Sequence, residues 1–121
     1  MTDVNGRAQY RRGTALERRV RDELISAGYF VIRSAGSKSS VDLAAIKKGQ
    51  VLFVQCKRSG SLPSREWNDL YGAAVVSGAL PVLAEQLIPR GRRYWVLTGT
   101  RRARQRAALP REELLIDLEG C

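Results

Sequence analysis

Histidine is absent from the 121 residues, and cysteine occurs only twice. Without imidazole, zinc chemistry and histidine base catalysis are both removed. Cys56, inside an apolar run, and Cys121, the last residue, have neither disulfide-framework nor metal-ligand spacing. Any metal bound here is therefore a hard cation held by oxygens. No apolar run approaches the length of a membrane span, and the opening MTDVNGRAQYRRG holds no apolar stretch that would serve as a secretory signal, so an intracellular protein with no membrane partner is expected. Acid is scarce as well: 12 Asp and Glu stand against 21 Lys and Arg, a net charge of +9. That balance points to a polyanionic partner, usually nucleic acid, and arginine's planar fork suits phosphate oxygens. An arginine-favouring genome gives the same composition.

The length suits one domain with a single core. Residues 1–13 are polar, glycine-containing and basic through Arg7, Arg11 and Arg12, and read as a flexible basic arm ahead of a single domain over 14–121. Thr14 and Glu17 have capping-box spacing, and Leu16, Val20 and Leu24, widened by Ile25 and Ala27, give a helical stripe that Gly28 ends. YFVIRS (29–34) reads as a strand, AGSKSS as a loop, and VDLAAIKKGQVLFVQCK as a hairpin. With Lys48 and Gly49 at the turn, Ile46 faces Val51, Ala44 faces Phe53 and Asp42 faces Gln55; Lys57 shares the face of Gln55. Both hairpin faces are apolar near the turn, which suits a sheet covered by helices on both sides. A second helix is expected over 64–77, then strands near 81–87 and 93–99, then a short helix begun by Pro110.

Glu17, Asp42, Gln55 and Lys57 thus form a candidate site of oxygens for a divalent cation beside an ammonium, the parts that phosphodiester hydrolysis needs. Each has a structural alternative. Glu17 is also half of a capping box, Asp42 is also an acceptor for the serine loop, and Gln55 and Lys57 also suit the solvated end of a strand. Arg101 to Arg106 would serve equally as a solvated face. Convergence of three residues on one face at the end of a buried sheet favours the site.

The run RRGTALERRVRDELISAGYFVIRSAGSKSSVDLAAIKKGQVLFVQCK resembles the archaeal Holliday-junction resolvases of the Hjc type, in the PD-(D/E)xK nuclease superfamily, and GALPVLAEQL and RRYWVLTG are similar to that family's closing strands. RSAGSK followed by VDL is the most specific part of the likeness. The resemblance implies an α/β fold with a restriction-endonuclease-like αβββαβ core, a mixed five-stranded sheet flanked by helices. It implies that Glu17 is the helix-borne acid, Asp42 the metal-binding aspartate (preceded here by Val41 instead of proline) and Lys57 the catalytic lysine. Ser37 and Lys38 fall in the loop associated with cleavage, and Arg18 and Arg33 fall where family arginines contact the DNA backbone. Arg11, Arg12 and Arg58 extend the expected DNA-binding set.

Gln55 stands where most members carry glutamate. An amide oxygen is still a hard ligand, so the change removes a negative charge without removing coordination, and the Cys56 backbone carbonyl offers a further oxygen. The implied activity is an Mg²⁺- or Mn²⁺-dependent endonuclease, a homodimer nicking four-way DNA junctions symmetrically. A non-catalytic branched-DNA-binding protein that has lost its metal, and a nuclease of the same fold acting on other DNA structures, are the alternatives. Helix two, through Trp67, Leu70 and Tyr71, offers an interface, although core packing explains those residues equally well. A stand-alone nuclease of this kind would be at home in a phage, acting in the host cytoplasm.

Overall fold

The structure, a computed structural model, describes residues 3–34 and 39–116, the first ten of them by backbone alone. The chain runs α1 (Asp3–Ser26), β1 (Phe30–Arg33), β2 (Leu43–Lys47), β3 (Gln50–Lys57), α2 (Ser64–Ser77), β4 (Leu80–Gln86), β5 (Arg92–Leu97) and β6 (Arg111–Leu114). Among the described residues six strands form one sheet in chain order. All neighbours are antiparallel except β3 and β4, which run parallel and are joined through α2. The expected αβββαβ order is present, with six strands in place of the expected five.

Alternation along β3 and β4 sends side chains to two separate cores. Leu52 and Val54 of β3 and Val82 and Ala84 of β4 pack with Leu16, Val20 and Leu24 of α1. Leu83 of β4 packs with Trp67 and Leu70 of α2, with Phe53 of β3 against them. The two helices therefore cover opposite faces. Trp67 and Leu70 are fully buried, which settles them as core residues and removes them from any interface. Ile25 is half-exposed and does not widen the α1 stripe as expected.

Two local expectations are corrected. The helix begins at Asp3, so Thr14 and Glu17 lie mid-helix and form no capping box, and the segment read as an arm is helical from Asp3. No proline interrupts that stretch, and Gly6 and Gly13 are tolerated within it, each costing about 1 kcal/mol relative to alanine. The segment after Pro110 forms β6, paired to β5 from Leu97↔Arg111 to Tyr94↔Leu114, and not a helix. An available sheet edge outweighs the helical preference of its glutamates and leucines. Its charged side chains also blunt the outer edge, since Glu112 and Glu113 are exposed.

The hairpin has the expected register from Ile46↔Val51 to Leu43↔Val54. Gly49 takes φ +75, which the two-residue turn requires and few other residues adopt cheaply. The register stops at Leu43. The Asp42 N–H donates to the carbonyl of Val54 (2.8 Å), the residue already paired with Leu43. Two residues thus oppose one, as in a β-bulge, and the expected direct pairing of Asp42 with Gln55 does not form.

Candidate active site at the end of the sheet

The bulge re-aims Asp42. Its carbonyl accepts the Ser34 N–H (2.9 Å), and its Oδ2 accepts the Cys56 N–H (2.8 Å), which pins the carboxylate to β3 at the residue after Gln55. Oδ1 accepts no hydrogen bond among the described residues. Burial pushes the Asp42 carboxyl up to about 6; the Cys56 N–H pulls it down, Glu17 pushes it up, Lys57 pulls it down and Glu66 pushes it up. Glu17, from the α1 side, and Lys57, from the side where α2 packs, thus both act on Asp42 through their charge.

Gln55 is the one buried polar or charged residue among the described core positions, 7% exposed. Its Oε1 is buried without a hydrogen-bond donor among the described residues. Such an orphan is costly in a folded protein, since a buried amide oxygen gives up water for nothing. No group of three or more Asp, Glu, Cys or His suited to a metal occurs among the described residues. A cation here would rest on one carboxylate supplemented by neutral oxygens. Asp42 Oδ1, Gln55 Oε1 and the Cys56 carbonyl are hard oxygens of that kind, and the unpartnered amide oxygen fits a divalent cation. The Cys56 thiol packs against the α1 core, and burial pushes it well above the usual thiol range, so it takes no part as a thiolate.

The surrounding charges are paired. Lys57 Nζ lies 3.0 Å from Glu66 Oε1, at the first turn of α2. Glu66 was not singled out from the sequence; an acid in the first turn of the helix next after Lys57, facing the positive end of the helix dipole, is the signal that was available. Glu17 Oε1 accepts from Arg33 Nε at 3.1 Å. Arg18, Arg21, Arg33 and Glu17 line one recess with Thr14 and Leu43. Arg58 is exposed and lines another with Arg19. Ser37 and Lys38 lie outside the described residues, as do the side chains of Arg11 and Arg12, whose backbone belongs to α1.

A family model described as archaeal Holliday junction resolvase (hjc) matches residues 8–64, a span that holds Glu17, Asp42, Gln55 and Lys57. The crossover junction endodeoxyribonuclease Hjc of Methanocaldococcus jannaschii is 39% identical over 82 residues, which cover 64% of this chain and 61% of that protein. The chain thus spans less than two thirds of that relative's length. The 1.6 Å structure of Archaeoglobus fulgidus Hjc, a Holliday junction resolvase from an archaeal hyperthermophile, superposes with a TM-score of 0.61 at 29% identity, covering 69% of this chain and 70% of that one. In sequence and in fold, the resemblance of this chain to the archaeal Holliday junction resolvases of the Hjc type is shown.

Proposed function

We propose that this chain is a divalent-metal-dependent endonuclease acting on four-way DNA junctions. One observation carries the reading: a buried amide oxygen with no donor among the described residues, on β3 beside a carboxylate whose proton affinity is raised by burial. Asp42 and Gln55, with the Cys56 carbonyl, would hold Mg²⁺ or Mn²⁺. When bound, the ion polarises a phosphoryl oxygen and acidifies water. Lys57 supplies positive charge where the phosphate gains negative charge, and Glu66 holds the ammonium in place. Glu17 orients Arg33, and Arg18 and Arg33 take phosphate oxygens flanking the scissile bond. Ser37, Lys38, Arg11, Arg12 and Arg58 are assigned to the same DNA surface by resemblance.

A junction cut symmetrically needs two sites related by a two-fold axis, and this one-site chain supplies them as a homodimer. On the α2 side of the sheet, Phe30, Ile32 and Ile46 are exposed at β1 and β2, with Phe30 67% accessible. Phe30 pairs with Ile46, so the two share a face, and this apolar surface supports self-association there. No helix among the described residues is long and apolar enough to cross a membrane. A DNA substrate supports an intracellular site of action.

The test is cleavage of a labelled four-way junction with Mg²⁺ or Mn²⁺, with flap and linear duplex as competitors. Paired nicks across the junction are expected; tight binding without cleavage under every metal condition would reject the enzymatic reading. Gln55 favours a second reading, a junction-binding protein without catalysis, because the amide removes one negative charge from the metal's ligands. Under it, only Gln55→Glu would bind metal and cut.

A further inference from the structure

Beyond the residues matched by the resolvase family, the connection between β5 and β6 carries Arg101, Arg102, Arg104 and Arg106, and β6 opens with Arg111. Arg101, Arg104, Arg106 and Arg111 line a recess of about 530 Å³ together with the Ser59–Ser61 turn, and none of the described residues that line it is acidic. We propose that this recess is a second phosphate site, holding the sugar–phosphate backbone of a DNA arm as it leaves the catalytic centre. The proposal rests on the nuclease reading for its partner, but its geometry is independent of the metal ligands.

Three observations show that the recess is built. Arg101 is fixed: its guanidinium lies over the Trp67 ring (5.7 Å to the centroid), Nη2 donates to the Gln105 carbonyl (2.6 Å), and Nη1 donates to the Leu62 carbonyl. Asn68 grips its main chain, accepting from the Arg101 N–H (2.7 Å) and donating to its carbonyl (3.0 Å). Arg111 stacks on Trp95 at 4.1 Å, and the Trp95 indole N–H donates to Glu85 Oε1 (2.8 Å). Glu85 in turn lies against Gly60, where an added Cβ would meet its Oε2 at 2.1 Å. Arg111 is thereby tied through Trp95 and Glu85 to the Ser59–Ser61 turn, where Gly60 takes φ +70 and leaves room for the Glu85 carboxylate. Finally, Arg104 and Ala108 hold φ of 63° and 52°, a left-handed backbone that non-glycine residues adopt at a cost and that clusters at ligand-binding loops.

Within this frame Arg104 and Arg106 are exposed, and neither is ion-paired to an acid among the described residues. They are cations held out on a braced loop. The turn begins just after the catalytic lysine, and the Gly60 N–H donates to the Lys57 carbonyl (3.0 Å). The Ser59–Ser61 turn thus joins the recess to the end of the strand that carries Lys57. Duplex DNA, with its dense and regular line of charge, fits this continuity better than a discrete acidic peptide does.

The test measures binding of wild type, Arg104→Gln/Arg106→Gln and, as a charge control, Lys48→Gln, to a four-way junction and to linear duplex over a range of KCl without divalent metal. Each lost phosphate contact flattens the log–log salt slope by about 0.9. The double variant is expected to lose about 10- to 100-fold in affinity at 0.1 M salt, with a slope shallower by about 2, while Lys48→Gln stays near wild type. Arg106→Glu is a second variant, expected to weaken binding further than neutralising the same residue. An unchanged slope in the double variant, or an equal loss in Lys48→Gln, overturns the proposal even if the wild type cuts junctions. A shallower slope in a protein that never cuts upholds the recess and rejects the nuclease. Absence of DNA binding by the wild type overturns both.

Discussion

Glu23 and Asp42 are both carboxylates drawn partly out of water beside the same sheet, yet their surroundings push them in opposite directions. Burial raises Glu23's proton affinity, but hydrogen bonds from Arg92 and Tyr94 and the Arg92 charge outweigh it, so its pKa falls below the ordinary value. The contacts are short, 2.6 Å to Arg92 Nη2 and 2.5 Å to the Tyr94 hydroxyl, and they tie α1 to β5. Arg92 keeps one nitrogen, Nε, without a partner among the described residues, but its charge is met. Among the described residues Asp42 has a single backbone donor, with two acids and one lysine within electrostatic reach, beside an amide oxygen that has no donor. One cluster completes itself with its own residues; the other is left short of positive charge. A deficit of that kind in a folded protein marks a place where a ligand is expected.

The largest effect should come from removing the open cluster's carboxylate. Asp42→Asn keeps an acceptor for the Cys56 N–H but should lower junction cleavage by about 1,000-fold or more, the loss of several kcal/mol of charge stabilisation. Its effect on metal-free stability has the opposite sign. Because the folded pKa of about 6 exceeds the ordinary 3.8, the native state binds the proton more tightly, and this group's contribution to stability declines as pH rises between those values. Thermal melts without metal should show Asn more stable than Asp at pH 8, by roughly 1–2 kcal/mol once solvent screening is allowed for, with no gain near pH 4.

Glu23→Gln sharpens the contrast. A lowered pKa contributes stability that is present above the unfolded value and lost as pH falls through the folded one. The variant should be less stable by about 1–2 kcal/mol at pH 7 in urea titrations, with the difference shrinking in acid, and junction cleavage at a temperature where it is folded should be retained. Gln55→Glu should make the open cluster more acidic. Divalent affinity should tighten on the order of 10-fold by calorimetry, while metal-free stability falls as a further negative charge joins Asp42. The smallest effect belongs to Glu66→Gln: the Lys57 pair is partly exposed, so stability should change by no more than about 0.5 kcal/mol, with cleavage reduced about 10-fold as the ammonium loses its anchor.

Much of this was legible in the sequence because local signals agreed with the global fold. Lys48-Gly49 between apolar runs fixed the hairpin register as far as Leu43, and the second helix expected over 64–77 is α2 at Ser64–Ser77. The bulge at Asp42 was not legible, since it arises from how the strand end meets β1 and β3 and leaves no mark in residue type. Glu66 escaped notice because its role depends on how α2 docks against β3, a tertiary fact. The ends of the chain misled for a related reason: α1 extends back to Asp3 through glycines that discourage helix, and β6 is helical in its propensities but is recruited by the edge of β5. The four arginines of the recess were visible only as charge, because Trp67 and Asn68, which brace Arg101, and Trp95, which braces Arg111, stand well away in sequence.

The most direct test of the shared cation is a titration of the intact protein with Mn²⁺, following the free ion by electron paramagnetic resonance, in wild type and Asp42→Asn without DNA. The account predicts saturable binding in the wild type that weakens as pH falls below about 6, where the Asp42 carboxyl takes up its proton, and that is lost in the variant. Equal Mn²⁺ uptake by the two proteins, or uptake indifferent to pH between 5 and 8, would contradict it.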